Sequence, residues 1–246
     1  MEILLFYIFV TFLVIMQTIA GVGVLVLGTP LMLIFNYQII ELINILLPIS
    51  ILTSLINYLY LKQNKKNFKI KLDQNIKKTF IFIFLPSISI GLILVKEFNQ
   101  ALNFKILVSS TIMISLIIKW KFQPRIEVLS ISIKKFIVAI IGVIHGLSNS
   151  GGTLLTIFFT ILNKNKKNQS RYSITFYYLI FVFTQYMIFL VVFEKRILSN
   201  FSLEMIFLII FGSLIGNYLV KKISEIFFQR LIEALALFSA IVLLIS

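Results

Sequence analysis

Apolar residues fill eight long stretches of the chain, and short polar segments rich in lysine separate them. A helix needs about 20 apolar residues to cross a bilayer core about 30 Å thick, and most of the stretches have that length. They predict helices, called units 1 to 8, at about 3–35, 40–61, 79–95, 101–118, 136–162, 173–193, 203–220 and 228–246. The pattern therefore predicts an all-α integral membrane protein that lies in a lipid bilayer.

Units 1 and 5 differ from the others because they are too long for one straight span and carry glycine clusters in mid-membrane. Each is followed by three ordinary spans, so the same order of units occurs twice. Gly28-Thr29 in unit 1 recurs as Gly152-Thr153 in unit 5, 124 positions later. Repeats with broken helices are typical of secondary transporters. The breaks are predicted at Gly21, Gly23, Gly28 and Pro30 in unit 1 and over residues 145–153 in unit 5.

This duplication predicts two transmembrane repeats, residues 1–122 and 123–246, within one structural domain. The loops after units 2, 4 and 5 are rich in lysine, which places all three on the cytoplasmic side. Unit 5 would then enter and leave on one face as a re-entrant hairpin, and by analogy unit 1 would have both ends outside. A hairpin does not cross the membrane, so each repeat would have three crossings. Because three is an odd number, the second repeat would begin on the opposite side of the membrane and the repeats would be inverted. Eight straight spans, with some loops violating the charge rule, are the alternative.

The composition agrees with a lipid environment. Hydrophobic residues make up 59% of the chain, above the roughly 45–50% of soluble domains, and the mean hydropathy is +1.03. The net charge of +14 comes from lysines between apolar stretches, so it indicates topology and not nucleic-acid binding. The absence of cysteine excludes disulfides, thiolate catalysis and cysteine metal sites. Residues 1–20 lack a basic start and a cleavage site, so we expect a retained segment and not a signal peptide.

The two breaks are candidate ligand sites, because backbone polar groups freed in mid-membrane are tolerated only inside protein or beside a wet cavity. Thr29 before Pro30 predicts a helix start, since threonine caps helices and proline suits the first helical position. Ser150 or Thr153 could open the matching helix in unit 5. Each start would direct free N–H groups at the protein centre, which favours an anion. The alternative is that the glycines only permit close helix packing.

The candidate substrate-binding residues come from both breaks. His145 is the only histidine, and it could carry a coupling proton or hydrogen-bond the ligand, or be a neutral side chain satisfied by its helix neighbours. No Asp, Glu, Lys or Arg lies near the centre of a predicted span, so a small anion would bind backbone amides and neutral donors. We predict no catalytic residue, metal ligand or cofactor. The predicted binding set is Gly21, Gly23, Gly28, Thr29, His145, Gly146, Ser148, Asn149, Ser150, Gly151, Gly152 and Thr153.

Several other positions are interpreted without a ligand. Polar residues inside the units, among them Gln17, Asn57 and Asn217, are predicted to pack or to form hydrogen bonds between helices. The aromatic residues in the segment 173–178 are predicted to form an interfacial belt. Arg171 belongs to the basic loop after unit 5 and counts as a topology signal.

A series of short motifs extends over nearly the whole chain. They are Gly21-Val-Gly23, Gly28-Thr-Pro-Leu31, Leu46-Leu-Pro-Ile-Ser50, Gly142-Val-Ile-His-Gly-Leu-Ser-Asn-Ser-Gly-Gly152 and Gly212-Ser-Leu-Ile-Gly216, followed by Lys221-Lys-Ile-Ser and Arg230 before the last helix. In this order, and with the duplication, they resemble the TauE/SafE family of sulfite exporters. The resemblance implies a carrier of the bacterial cytoplasmic membrane, which in several members transports sulfite or organosulfur anions.

The sequence therefore predicts a secondary transporter, an exporter or permease, for a small anion such as sulfite or an organosulfur or organic anion. It would work by alternating access around a midplane site and would not be an enzyme. The alternatives are a substrate-binding membrane subunit of a larger transport complex and a passive anion channel. A membrane enzyme would need a nucleophile with a base, a carboxylate pair or metal ligands. One histidine, no cysteine and few acids argue against that class.

Overall fold

Helices account for almost all of the described chain. The structure is a computed structural model that describes residues 3–64, 74–98, 100–126, 130–163, 166–194 and 202–245. Ten α-helices and no strand occur in these ranges, which confirms the all-α prediction. The helices are α1 (Ile3–Ala20), α2 (Val24–Ile34), α3 (Ile39–Gln63), α4 (Gln74–Phe98), α5 (Phe104–Ile126), α6 (Ile131–Ser148), α7 (Gly151–Leu162), α8 (Lys167–Val192), α9 (Leu203–Lys222) and α10 (Glu225–Ile245).

Units 1 and 5 are each divided into two helices, α1 with α2 and α6 with α7, as the glycine clusters predict. Five helices, α3, α6, α8, α9 and α10, are long and apolar enough to cross a membrane. Large apolar side chains also lie on the outside of the molecule, where Phe82, Val191 and Phe207 are each more than 70% exposed. Lipid is the solvent in which such a surface is stable. The chain is a multi-pass membrane protein.

The main helix contacts join the first half of the chain to the second. The helix α1 lies along α9, and α6 lies along α4 in the corresponding place. The helix α5 packs on α10, and α3 packs on α8. The short helix α2 contacts α10, and the short helix α7 contacts α5. These contacts are preserved when α1–α5 are exchanged with α6–α10. The arrangement supports the duplication, and its boundaries and the inversion of the repeats stay predictions.

Glycines bring the backbones of two helix pairs into direct contact. A methyl group at Gly91 in α4 would collide with the carbonyl oxygen of Val143 in α6. One at Gly216 in α9 would lie 2.6 Å from the Cβ atom of Thr18 in α1. Gly91 and Gly216 are 125 positions apart and belong to the two corresponding pairs, α4–α6 and α9–α1. The α4–α6 and α1–α9 contacts therefore depend on the absence of a side chain at these places.

The sidedness of the loops stays a prediction. Much of the lysine-rich segment between α3 and α4, residues 65–73, lies outside the described residues. The same holds for residues 164–165 after α7 and for residues 195–201 between α8 and α9. Within the described chain, the path at each break is the feature that bears on the hairpin hypothesis.

Candidate functional site

The first break is a sharp reversal after α1. Gly21 ends the helix with φ of 86°, a left-handed conformation that glycine adopts without strain, and its amide donates to the Gln17 carbonyl at 2.8 Å. Beyond it, a methyl group at Gly23 would lie 2.5 Å from the Gln17 nitrogen, and one at Gly28 would lie 3.0 Å from a methyl group of Leu13. Since residues further along α2 lie beside earlier residues of α1, α2 runs back along α1.

The helix start predicted at Thr29-Pro30 is wrong. Both residues lie inside α2, which begins at Val24 with Gly23 as its N-cap. The reversal at Gly21 places the Val24 amide beside the side chain of Gln17, whose Oε1 accepts from it at 3.1 Å. A long side chain from the preceding helix thus caps α2 and starts it one and a half turns before the Thr-Pro signal.

The second break has the same construction with different residues. Asn149 ends α6 with φ of 60°, and its amide donates to the His145 carbonyl at 2.8 Å. Ser150 is the N-cap of α7, so Ser150, and not Thr153, opens this helix. A methyl group at Gly151 would lie 2.6 Å from His145 Cβ and 2.8 Å from the Ile141 carbonyl oxygen, so α7 also turns back onto α6. The break is limited to residues 149–150, narrower than the predicted 145–153.

The second break meets α2 in the interior of the molecule. The Nδ2 atom of Asn149 donates to Thr29 Oγ1 at 3.0 Å, which joins the second break to α2. A methyl group at Gly152 would lie 3.2 Å from Val26 in α2 and 3.1 Å from Tyr178 in α8. Residues 120 or more positions apart in the sequence thus form one buried contact.

Polar atoms without hydrogen-bond partners gather at the second break. They are His145 Nδ1 and Nε2, Asn149 Oδ1, Thr153 Oγ1 and Gln185 Oε1, all in side chains that are at most 2% exposed. Buried polar side chains are paired in the large majority of cases, so such a group of unpaired atoms needs an explanation. The first-turn amides of α7, at Gly151 and Gly152, have no partner within the helix because of their position. Donors and acceptors are therefore available here for a ligand.

Aromatic rings hold His145 in place. Its ring stacks on Phe181 with centroids 3.9 Å apart, and Tyr178 meets it edge-on at 6.3 Å. The Gln185 amide donates to the His145 carbonyl at 3.3 Å, so α8 contacts both the backbone and the ring. The prediction of an interfacial belt is wrong for Tyr177 and Tyr178, which are buried and face the interior. For the His145 ring, a role with a proton or ligand and a neutral ring satisfied by helix neighbours both stay open, because Gln185 of α8 is near enough to interact with the ring although neither ring nitrogen has a hydrogen-bond partner of normal geometry.

The two breaks differ in one respect that matters for binding. Gln17 and His145 occupy corresponding places. The Gln17 carbonyl accepts a hydrogen bond from the amide of Gly21, and the His145 carbonyl accepts one from the amide of Asn149. The Gln17 side chain caps the first amide of α2 and also bonds to Ser50 and Ser54 of α3. The His145 side chain lies beside the start of α7 but does not cap it, and its polar neighbour is Gln185 of α8. The helix α2 is therefore capped by the protein itself, while the start of α7 is not.

A small cavity lies between the breaks and α10. Its volume is about 20 Å³, and its lining includes Gly23 from the first break, Val26 from α2 and Thr153 from α7, with Ile232 and Ala236 from α10. Of the predicted binding set, only Gly23 and Thr153 line it. This volume holds about one water molecule, so a multi-atom anion does not fit. In this conformation the cavity is too small for the proposed cargo.

The predicted site residues fall into two groups. Thr29, His145, Asn149, Gly152 and Thr153 surround the meeting point of the breaks, with Ser150 and Gly151 at the start of α7. The other predicted residues serve packing or local turns. Gly146 contacts Gly91 of α4, Gly28 lies between leucines, Gly21 faces Ile174, and the Ser148 hydroxyl bonds to Ile144 and Ser150.

One buried polar network was missed by sequence reasoning. Arg171 is only 2% exposed; its Nε and Nη2 atoms donate to the Thr18 carbonyl at 2.9 and 2.7 Å, and Nη2 also donates to Asn217 Oδ1 at 2.8 Å. Asn217 in turn donates to Asn57, which donates to Thr18. The available signal was the pair of asparagines inside apolar units, because a buried amide needs partners. The expected hydrogen bonding between helices is thereby confirmed for Asn57 and Asn217, as it is for Gln17.

Comparison with known proteins bears on this geometry. A family model described as sulfite exporter TauE/SafE matches residues 6–243, which is nearly the whole chain. The matched range includes both breaks and every residue of the predicted binding set. Comparison with curated proteins and with solved structures gives no match.

Proposed function

The chain belongs to the sulfite exporter TauE/SafE family, a family of membrane transporters, and on this premise we propose that it carries a small anion through a site between its two helix breaks. The cargo class is sulfite or a related organosulfur or organic anion. The proposed setting is the cytoplasmic membrane of a bacterium, and the proposed role is transport without catalysis.

The observation that carries the proposal is the uncapped start of α7 beside unpaired buried side chains. Helix N-termini carry about half a positive charge and direct free N–H groups outward, which makes them anion sites. His145 and Thr153 supply further neutral donors, and Thr29, whose Oγ1 accepts from Asn149 Nδ2, keeps its own hydroxyl proton to donate. An anion bound here would satisfy donors that otherwise lose hydration without compensation, at about 1–3 kcal/mol each.

The small volume of this cavity supports alternating access over a passive channel. A channel requires a continuous path, whereas the space between the breaks is about 20 Å³. For cargo to enter, the helices α2 and α7 must move away from α10, and the site must open to only one side of the membrane at a time. The hinges available for this are the short breaks themselves, because residues 21–23 and 149–150 are the only non-helical links between the paired helices. A role as the membrane subunit of a larger complex would leave this site unchanged and is tested by copurification.

The test has two steps. A thermal-shift screen of sulfite, sulfonates, thiosulfate and carboxylates on the purified protein identifies the cargo. Transport of that anion is then measured in proteoliposomes for Asn149→Ala and Gly152→Val, with insertion and yield as controls. Asn149→Ala removes the link from the second break to Thr29 of α2, and Gly152→Val crowds Tyr178 and Val26, which would lie 3.1 and 3.2 Å from its Cβ atom.

We expect both variants to insert normally and to lose transport. Normal transport in either variant would contradict the site, and ATP-dependent transport with a copurifying ATPase would replace the secondary carrier with the larger complex.

A further inference from the structure

A second and larger cavity lies at the other end of the polar network described above. It has a volume of about 320 Å³, within the range of small-molecule sites. The C-terminal ends of α3 and α9 and the N-terminal end of α8 enclose it, and the charge rule places all three ends on the cytoplasmic side. Its lining consists of Tyr60, Leu61, Asn64, Lys167, Asn168, Arg171, Asn217, Val220 and Lys221.

The lining of this cavity is strongly positive. Lys167, Arg171 and Lys221 contribute three cations, and no Asp or Glu is among the described residues that line it. The ends of α1 and α9, which Arg171 and Lys167 bind through carbonyl groups, supply about half a negative charge each. They offset about one of the three positive charges. Glu225, which does not line the cavity, also acts on Lys167, and an excess of about one positive charge remains.

Arg171 is built into this cavity and is not a mobile surface side chain. It is 2% exposed, and three hydrogen bonds from Nε and Nη2 fix its guanidinium plane against Thr18 and Asn217. In the described part of the chain it has no carboxylate partner; the ion pair found there joins Lys119 to Glu233. A buried guanidinium without a counter-ion, facing a cavity, is a site for an oxyanion.

The cavity lies near the candidate transport site. Arg171 holds the end of α1 at Thr18, and Ala20 and Val22, just beyond, line the small cavity between the breaks. The end of α1 and the apolar side chains packed on it, among them Val220 and Ile232, separate the two cavities in this conformation. Clefts lined by one sign of charge raise the local concentration of the opposite ion.

We propose that this basic cavity is an anion vestibule, in which a small oxyanion from solution binds Arg171, Lys167 and Lys221 before it reaches, or after it leaves, the helix breaks. The role in a transport path rests on the proposed function, whereas the binding itself can be measured alone. The shared chemistry is that of any oxyanion, including the phosphate of an anionic lipid.

The test compares two adjacent lysines. Lys221 lines the cavity, while Lys222 is also exposed but does not line it and lies over Tyr218 at 4.4 Å. Lys221→Gln and Lys222→Gln are each made in the Asn149→Ala background, which disables the site between the breaks. Binding of ³⁵S-labelled sulfite and thiosulfate is measured by scintillation proximity in phosphatidylcholine nanodiscs. Arg171→Gln is avoided because it leaves the buried Thr18 carbonyl unpaired.

We expect Lys221→Gln to weaken binding about three- to tenfold, the effect of one charge about 6 Å from the anion at an effective dielectric constant between that of water and half of it. Lys222→Gln should bind as its parent does, and added potassium chloride should reduce the difference. Equal binding by the two lysine variants, or no binding of either anion at millimolar concentration, would overturn the vestibule.

Two further arms separate the possible failures. If phosphatidylglycerol nanodiscs abolished the binding that depends on Lys221, the cavity would hold a lipid headgroup, and a vestibule for a solute would be refuted. If Asn149→Ala transported normally but Lys221-dependent binding persisted, the site between the breaks would be wrong and the vestibule would stand. If Asn149→Ala impaired transport but no Lys221-dependent binding were found, the site between the breaks would stand and the vestibule would be refuted.

Discussion

Replacing Thr153 by valine separates binding of the cargo from stability of the fold. Thr153 lies in the first turn of α7, is 2% exposed, and its Oγ1 atom has no hydrogen-bond partner. Thr160 offers a matched control two turns further along the same helix, since it is 1% exposed and its Oγ1 is also unpaired. Valine has nearly the shape of threonine, so each substitution removes a hydroxyl and creates no cavity.

Thr153→Val should affect stability and transport in opposite directions. A buried hydroxyl without a partner costs about 1–3 kcal/mol, so both valine variants should keep or slightly raise the free energy of unfolding. A hydrogen bond to a charged group contributes about 1.5–3 kcal/mol, and each 1.36 kcal/mol is a factor of ten in rate. If Thr153 donates to the anion, Thr153→Val should lower kcat/KM for transport by about 10- to 150-fold, while Thr160→Val should leave it unchanged.

Both quantities can be measured on the same preparation. Thermal unfolding in detergent reports stability, and initial rates of anion uptake into proteoliposomes report kcat/KM. Equal transport by Thr153→Val and the unsubstituted protein would refute the role of this hydroxyl. Equal loss of transport in both valine variants would show that α7 responds to the loss of any hydroxyl, and the place of Thr153 at the start of α7 would then have no special role.

Three other predictions concern the scaffold. Gly91→Ala should destabilise the protein by about 1–3 kcal/mol in thermal unfolding, because the new Cβ atom meets the α6 backbone at Val143. Gly28→Ala should destabilise it less, because the new Cβ atom meets only leucine methyl groups. A larger loss of stability in Gly28→Ala than in Gly91→Ala would contradict the packing. Glu233→Gln should cost about 2–4 kcal/mol, since it leaves Lys119 buried and unpaired at 4% exposure; full stability in the same measurement would show the ion pair to be dispensable. A tag inserted at residue 165 should react only with reagents that reach the cytoplasm, and labelling from outside would rule out the hairpin at unit 5.

The presence and place of the breaks could be predicted from the sequence. Units 1 and 5 are too long for one span, and glycines interrupt both, so a change of direction there follows from length and helix propensity. The meeting of the two breaks follows less directly, since the contact from Asn149 to Thr29 depends on how α6 and α2 pack. Only the similar order of the two halves indicated it.

The start of α2 could not be predicted because a tertiary contact decides it. Thr29-Pro30 is a strong local signal for a helix start. The left-handed turn at Gly21 brings the Val24 amide to the side chain of Gln17 instead, and that cap comes first along the chain. A local rule has no information about a capping group on the preceding helix.

Arg171 and Tyr178 were misinterpreted for a related reason. Arg171 precedes the apolar part of unit 6 and so counted as part of a loop, but α8 begins at Lys167 and carries it into the interior. Tyr178 suits a membrane interface by its chemistry, yet it is fully buried beside Gly152. Residue type near the end of an apolar segment does not determine which face of the helix is covered by neighbours.

The most direct test of the account is an electron cryomicroscopy structure of the protein in nanodiscs with its identified anion. The account predicts density for the anion between the breaks, within hydrogen-bond distance of the Gly151 and Gly152 amides and of His145 or Thr153, in a cavity wider than the present 20 Å³. An anion-bound structure in which this space stays closed, with the cargo elsewhere in the membrane-spanning region, would contradict it.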